Sequence, residues 1–134
     1  MTDDIDVALV HYLESNPGLV ALLGERIYPE PLPQPEGGVI LPAITYTRVS
    51  GIPRVAHDGD SGLFSPLFQL KVWSSTKAQS RAIIRLMRIA LSGYAGLMGD
   101  LMVQASFVKA DRDIWDPDTG LFTPVLEVEL WHGD

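Results

Sequence analysis

The sequence contains no cysteine. Thiolate-bound zinc, iron–sulfur clusters, cysteine nucleophiles and disulfide bonds are therefore excluded. The 134 residues do not require such cross-links, because a chain of this size buries about 68% of the surface that its unfolded form exposes. The length predicts one self-supporting domain over residues 1–134.

Long apolar runs and a basic N-terminal segment are also missing. No stretch reaches the roughly 18 uncharged residues that indicate a membrane-spanning helix. The first six residues carry three acids, whereas a secretory signal begins with basic residues. We therefore expect a soluble protein that makes no contact with a membrane.

Positive charge is scarce. Ten Lys and Arg residues stand against 17 Asp and Glu residues, which gives a net charge of −7. Tight nucleic-acid binding depends on neutralising phosphates, so this balance argues against it. The hydrophobic content of 46% is high for a small soluble monomer and indicates surfaces buried between subunits.

Recognisable catalytic and cofactor motifs are absent as well. The sequence has no Gly-rich phosphate loop and no dinucleotide-binding fingerprint. It also has no pair of catalytic carboxylates within a recognisable motif. The tetrapeptide at 59–62, Gly-Asp-Ser-Gly, matches the nucleophile region of trypsin-like proteases, but that family needs a longer two-barrel scaffold to assemble its triad. Turn chemistry is the better interpretation. The sequence thus predicts a protein that is not an enzyme and carries no cofactor.

An aspartate-rich segment at 111–120 superficially resembles a calcium loop. A calcium loop of the EF-hand type needs alternating oxygen ligands and a closing glutamate, whereas Trp115 and Pro117 interrupt the spacing here. A turn with solvated carboxylates is the favoured interpretation, and a metal site is a weak alternative. Its candidate ligands are Asp111, Asp113, Asp116 and Asp118.

What the chain does contain is a repeated apolar alternation. The segments 43–50, 63–73, 101–110 and 121–131 alternate apolar and polar residues with the two-residue period of strands. All four agree on one buried face, which is a strong signal for a sheet with one covered side. The inward residues are Ile44, Tyr46, Phe68, Leu70, Val72, Leu101, Val103, Ala105, Phe107, Leu126, Val128 and Leu130.

Helical periodicity appears at 4–15 and 77–92, with a short helical turn at 19–23 and a short edge strand at 26–28. The element order predicts an α+β fold. We expect a two-layer sandwich with a four-to-five-stranded antiparallel or mixed sheet and two main helices on one face. A proline-rich connector at 29–42 and long loops at 51–62 and 111–120 complete the expected domain.

Short motifs are distributed over nearly the whole chain. They are Arg26-Ile27-Tyr28-Pro29, Leu41-Pro42-Ala43-Ile44-Thr45-Tyr46, Ser50-Gly51, His57-Asp58-Gly59 followed by Ser61-Gly62-Leu63, Gln69 with Val72-Trp73, and Arg112-Asp113 with Pro117-Asp118-Thr119-Gly120-Leu121. In this order and spacing they resemble the tail completion, or tail terminator, family of long-tailed bacteriophages and related gene transfer agents.

This resemblance implies a non-enzymatic virion tail protein that resides in the host cytoplasm before assembly. It implies a homo-oligomeric ring, expected to be a hexamer, which ends tube growth at the head-proximal end of the tail and joins tail to head. The implied partners are the major tail tube protein and a head–tail connector, adaptor or stopper protein. DNA would pass through the channel without specific binding. Two alternatives stay open: another connector or neck component, and a calcium-binding interaction module that uses the 111–120 loop.

A closed ring requires two different patches on each subunit. One candidate patch is the loop around 54–64, which is too apolar for a purely solvated turn; its candidate residues are Arg54, Val55, His57, Asp58, Leu63 and Phe64. The other is a basic stripe on the long helix, formed by Lys77, Arg81, Arg85 and Arg88. For the stripe, a solvated helix face is the simplest interpretation. Pairing with an acidic neighbouring subunit and phosphate contact are the alternatives.

Overall fold

Three helices and eight strands are found in the computed structural model, which describes residues 4–34, 36–38, 40–56 and 59–133, with the backbone alone at 50–56 and 59–63. The helices are α1 (Ile5–Glu14), α2 (Pro17–Leu23) and α3 (Lys77–Leu91). The strands are β1 (Ile27–Pro29), β2 (Ala43–Ala56), β3 (Gly59–Trp73), β4 (Gly96–Met98), β5 (Leu101–Arg112), β6 (Trp115–Asp116), β7 (Leu121–Phe122) and β8 (Val125–His132).

Local capping explains where the helices begin and end. The Thr76 side chain accepts a hydrogen bond from the Gln79 amide at 3.2 Å and starts α3. The Asn16 side chain accepts from the amides of Gly18 and Leu19 at the start of α2. Gly24 ends α2 at a φ of 56°, a conformation that glycine adopts without a steric penalty.

The main sheet has six strands in the order β1-β2-β3-β8-β5-β4. β1 pairs with β2 in parallel, and the other neighbours are antiparallel, so the sheet is mixed. The α+β class is confirmed, but four to five strands and two main helices were too few. The missing strand is β4, whose three residues are too short to show a periodicity, and the turn predicted at 19–23 is a third helix.

One face of this sheet is buried under the helices. Phe68, Val103 and Val128 are completely buried and belong to the same core cluster as Ile83 of α3. α1 and α2 add further apolar residues to that cluster, and Leu86 packs against it. The predicted common apolar face of the four strand segments is therefore the core.

β5 changes its inward phase partway along its length. Phe107 is 48% exposed, whereas Ser106 is buried, so the predicted inward position of Phe107 is wrong. The register against β8 shifts between Val103 and Ala105, which makes Gln104 the extra residue of a β-bulge. From Ala105 to Val108 the side chains point to the face opposite to the one that simple alternation predicts, so Ala105, which pairs with Trp131, is also outward and its predicted inward position is wrong. A second register shift between Val108 and Ala110 restores the original phase.

The bulge places Ser106 where it holds the end of α3. Its hydroxyl donates to the Leu91 carbonyl, and its own carbonyl accepts from the Gly93 amide at 3.0 Å. The Tyr12 hydroxyl of α1 donates to the Ala90 carbonyl at 2.5 Å. Because the last carbonyls of a helix have no partner within it, these side chains replace the missing intrahelical bonds and lock α3 to the sheet.

The long loop predicted at 51–62 is wrong. β2 extends to Ala56 and β3 begins at Gly59, whereas β3 pairs with β8 only from Phe64 to Lys71. Residues 54–56 pair with the 59–63 segment and therefore form a short two-stranded ribbon, called here the β2–β3 arm, that continues beyond the sheet. Glycine and proline at 51, 53, 59 and 62 indicated a loop, but proline is tolerated in a strand whose outer edge is unpaired.

Two further boundaries differ from the prediction. The strand predicted at 121–131 is interrupted at Pro124, which has no amide hydrogen to donate and separates β7 from β8. The 111–120 loop is shorter than expected, because β5 runs to Arg112 and β6 pairs with β7.

In the proline-rich connector, the described residues after Pro29 form neither helix nor strand.

The inverted phase of β5 predicts unequal effects of two alanine substitutions. Phe68→Ala should lower the free energy of unfolding by about 3–5 kcal/mol, because it empties a completely buried site. Phe107→Ala should cost no more than about 1 kcal/mol, since its ring is half solvated. Urea denaturation of the two variants measures both values. Equal losses would contradict the placement of Phe107 on the outer face.

Candidate interaction surfaces

The basic stripe of α3 is partly neutralised within the chain. Arg81 Nη1 lies 3.0 Å from Asp111 Oδ1 and 3.0 Å from Asp113 Oδ1, and Arg81 Nη2 lies 3.3 Å from Asp111 Oδ2. Arg88 also pairs with Asp111. Two of the four cations thus hold the aspartate-rich segment against α3, while Lys77 and Arg85 are exposed.

The same contacts account for most of the aspartates that were considered as metal ligands. Asp111 and Asp113 face arginines, and the Asp116 carboxylate accepts the Asp118 amide at 3.0 Å, as in an Asx-turn. In the described part of the chain, no group of three or more acidic or histidine side chains is arranged to hold a metal ion. The segment therefore has the contacts of a clamped turn.

This clamped turn presents two apolar side chains to solvent. Ile114 is 39% exposed and Trp115 is 55% exposed. Beside them lies a cleft of about 220 Å³ between the first turn of α3 and β7. Large exposed aromatic residues are typical anchors of protein interfaces, so the Trp115 end of the sheet is one candidate contact surface.

The outer face of the sheet is more apolar than its alternation predicted. Leu97 of β4 and Met102 of β5 are directly paired and are 56% and 52% exposed. Phe107 lies on the same face, opposite Glu129 of β8. No described helix packs on this side, because the buried residues of all three helices belong to the core cluster on the opposite face. This sheet face is a second candidate contact surface.

A groove of about 750 Å³ opens at the His132 end of β8. It is lined by the start of α1, the end of β1, parts of β2 and β3, and the adjoining ends of β5 and β8. Its floor is apolar, with Phe68 completely buried and Leu101 5% exposed. We call it the acidic groove, because Asp4, Asp6 and Glu30 contribute to its lining.

His132 is the least solvated polar side chain of the acidic groove. It is 9% exposed, and its ring stacks on Phe64 with 5.7 Å between the centroids. Nδ1 lies 2.7 Å from the Gly133 carbonyl, so Nδ1 carries the proton and Nε2 is left as an acceptor. Nε2 is buried and has no hydrogen-bond partner among the described residues.

The acidic character of the groove extends to Tyr46. Burial, and then the negative charge of Asp6, raise the pKa of the Tyr46 phenol. The phenol thus stays neutral, since ionisation would add a charge next to a carboxylate. Arg48 is the one arginine or lysine in the described lining, and it is exposed.

The described residues of the predicted 54–64 patch lie in the β2–β3 arm and at its base. Arg54, Val55 and Leu63 belong to the β2–β3 arm, where the backbone is described. His57 and Asp58 lie outside the described residues. Phe64 belongs to the acidic groove instead of a loop, because it packs on His132.

Sequence reasoning missed the acidic groove because its lining comes from six separate strands and helices. One signal for His132 was present. The alternation of Leu126, Val128 and Leu130 places His132 inward when it is continued by one step, and the structure has it buried. No pattern linked this histidine to Asp4, Asp6 or Glu30.

None of the helices in the described part of the chain is long and apolar enough to cross a membrane. The fold instead combines a one-sided sheet with several exposed apolar surfaces, a projecting arm and a groove. Such features define a subunit whose surfaces are suited to contacts with other proteins.

Comparison with known proteins gives the particular family. The family model described as tail completion protein gp17 matches residues 7–133, so the chain belongs to this family of virion tail proteins. The resemblance read from the short motifs is thereby confirmed. A comparison with curated proteins gives no match.

The fold also matches a solved structure. A chain of the virion of a native gene transfer agent particle aligns with a TM-score of 0.78 over 97% of this chain and 95% of that chain. The sequence identity is 14%. At this identity the similarity establishes the shared fold, with nearly complete coverage in both directions.

The clamp between α3 and the aspartate-rich segment leads to a second prediction. Arg81→Gln should remove both carboxylate contacts, lower the free energy of unfolding by about 1 kcal/mol and speed hydrogen exchange at the amides of 113–120. Arg85→Gln is the matched control, because Arg85 is exposed and its loss should leave that exchange unchanged. Exchange measured by mass spectrometry distinguishes the two variants. Identical exchange in Arg81→Gln and the wild type would show that the contacts do not hold the segment.

Proposed function

We propose that this protein forms a ring, specifically a hexamer, at the head-proximal end of a phage-like tail tube, where it ends tube growth and joins the tail to the head. The observation that carries the proposal is the family match over residues 7–133. The protein acts without catalysis. Its partners are further copies of itself, the major tail tube protein and a connector, adaptor or stopper protein of the head.

The distribution of surfaces supports a ring. A cyclic assembly of identical subunits requires a heterologous interface, in which two different patches meet. The β2–β3 arm, which includes Arg54, Val55 and Leu63, continues beyond the six-stranded sheet. An isolated two-stranded ribbon has marginal stability in water, so a neighbouring subunit that covers the arm would stabilise it.

The two ends of the sheet support contacts with different partners. β8 runs from Val125, beside the clamped aspartate segment, to His132, beside the acidic groove. Trp115 is exposed at the first end, and the arm projects at the second, where Phe64 pairs with His132. A ring subunit between tube and head needs two such dissimilar ends.

Removal of the gene tests the role in the particle. Without the protein we expect separate DNA-filled heads and tail tubes of uncontrolled length, because nothing stops tube growth or provides the docking surface. Negative-stain electron microscopy measures both the tube lengths and the fraction of joined particles. Supplying the wild-type gene from a plasmid should restore both. Joined particles with tubes of normal length in the absence of the gene would contradict the proposal.

The two exposed cations of α3 provide a test of the basic stripe. Lys77→Glu combined with Arg85→Glu should weaken assembly by about tenfold if an acidic surface of a neighbour contacts the stripe, since loss of one favourable charge contact amounts to about 1.4 kcal/mol. Lys109→Glu, an exposed cation on β5, is the control. Binding to tail tubes is measured by sedimentation at two salt concentrations. Unchanged binding of the double variant would remove the stripe from the interface.

A further inference from the structure

We propose that the acidic groove binds an arginine side chain carried by a partner protein other than a second copy of this chain. The inference rests on the proposed function, since it names the chemistry by which the subunit recognises a neighbour in the particle. It gives a role to the three carboxylates of the groove and to His132.

The carboxylates of the groove are not used to hold the subunit together. Asp4 stands at the N-cap position of α1, but its side chain makes no capping hydrogen bond. None of the ion pairs between described residues involves Asp4, Asp6 or Glu30. The start of α1 contributes about half a positive charge and Arg48 contributes one more, so the three carboxylates leave the groove negative and suited to a cation.

The groove also has an acceptor without a donor. His132 lines it, and its buried Nε2 has no partner among the described residues, although nearly all buried polar groups in proteins are hydrogen-bonded. Nδ1 is directed to the Gly133 carbonyl, so Nε2 needs an N–H group from an occupant. Side-chain rotations are common when partners bind, and a turn of the imidazole toward the opening brings Nε2 to that group.

The shape of the groove favours arginine among the cationic side chains. Ile5, Phe64 and Leu101 add apolar surface to the lining, along which a methylene stem can lie while its charged head reaches the polar groups. A guanidinium supplies five donors in a fixed fork and can serve several acceptors at once, whereas an ammonium supplies three. The groove of about 750 Å³ is larger than one side chain, so it also takes the residues that flank the arginine.

A second copy of this chain is a poor source of that arginine. Two copies of net charge −7 repel each other, whereas a basic partner is attracted. Five of the ten cations are moreover engaged within the subunit, with backbone carbonyls, an aromatic ring or carboxylates. They are Arg26, Lys71, Arg81, Arg88 and Arg112.

A pair of peptides tests the recognition of the guanidinium. The probes are acetyl-Ala-Leu-Arg-Leu-Ala-amide and the same peptide with citrulline, which keeps the shape of arginine without its charge. We expect the arginine peptide to bind the isotope-labelled protein about tenfold more tightly in an NMR titration, a factor that corresponds to about 1.4 kcal/mol. Equal binding of the two peptides, or binding of neither, would overturn the inference.

Matched variants locate the binding in the groove. Asp4→Asn combined with Glu30→Gln should abolish the preference for the arginine peptide, and α1 stays capped because asparagine is as good an N-cap residue as aspartate. Glu25→Gln is the control, since Glu25 is an exposed carboxylate on the other side of β1 that does not line the groove. Equal preferences in the double variant and the control would overturn the inference.

The nitrogen resonances of His132 report whether its ring takes part. On addition of the arginine peptide we expect the signal of the unprotonated Nε2 to move upfield, because it accepts a hydrogen bond. Circular dichroism of each variant confirms that the fold is retained. An unchanged Nε2 signal at saturating peptide would overturn the assignment of this acceptor to the occupant.

The remaining measurements separate the possible sources of the cation. Spermidine, a free polyamine, should bind more weakly than the arginine peptide because it has no flanking apolar residues; equal or tighter binding would overturn docking of a protein. Light scattering of the isolated protein should give the same mass for the wild type and the Asp4→Asn, Glu30→Gln variant. A lower mass for the variant would assign the groove to a second copy and overturn the inference.

Purified particles connect the groove to assembly. We expect the double variant to bind either tail tubes or heads about tenfold more weakly than Glu25→Gln protein, as measured by sedimentation and electron microscopy. Unchanged binding to both would overturn the inference. Wild-type protein that binds neither contradicts the proposed function itself, whereas the peptide titration still decides whether the groove recognises arginine.

Discussion

Burial of one face of the sheet is the constraint on which the other features of this protein depend. Phe68, Val103 and Val128 are completely covered by helices on one side, and α3 is fixed there because Ser106 and Tyr12 supply partners for its last carbonyls. The Gln104 bulge serves both requirements. It turns a serine inward to hold the helix, and it turns Phe107 outward. An irregularity in one strand thus stabilises the core and at the same time makes the opposite surface more apolar.

One-sided burial also explains why the chain has so many surfaces suited to partners. With three helices on one face, the outer face of the described sheet keeps Leu97, Met102 and Phe107 at least partly in solvent. A stable monomer gains nothing from these exposures, because each leaves apolar area in contact with water. Exposed apolar surface of this kind is typical of proteins that contact partners, and this chain belongs to a family of virion tail proteins.

Local patterns in the sequence predicted the elements but not their irregularities. The helix expected at 77–92 is Lys77–Leu91, because a capping threonine and a regular apolar period both act within a few residues. The inward phase of β5 was predicted up to Val103 and failed after Gln104, since a bulge depends on the partner strand and not on the strand alone. The sequence predicts a loop at 51–62, where the structure has strands, because Gly51 and Pro53 are turn formers in most contexts. The acidic groove was not predictable, because tertiary packing alone brings Asp6, Glu30 and His132 together.

The pairing of Arg81 and Arg88 with Asp111 has a consequence for DNA in the proposed ring. From the sequence, a solvated helix face is the simplest interpretation of the four cations of α3, and phosphate contact is one alternative in a chain of net charge −7. In the fold, two of them are bound to aspartates of the same chain, so they cannot neutralise phosphates without breaking those contacts. Affinity for a duplex rises with the number of phosphates neutralised, and two dispersed cations, Lys77 and Arg85, provide little. The internal ion pairs that order the aspartate-rich segment therefore also withdraw two of the four cations of α3 from contact with any phosphate.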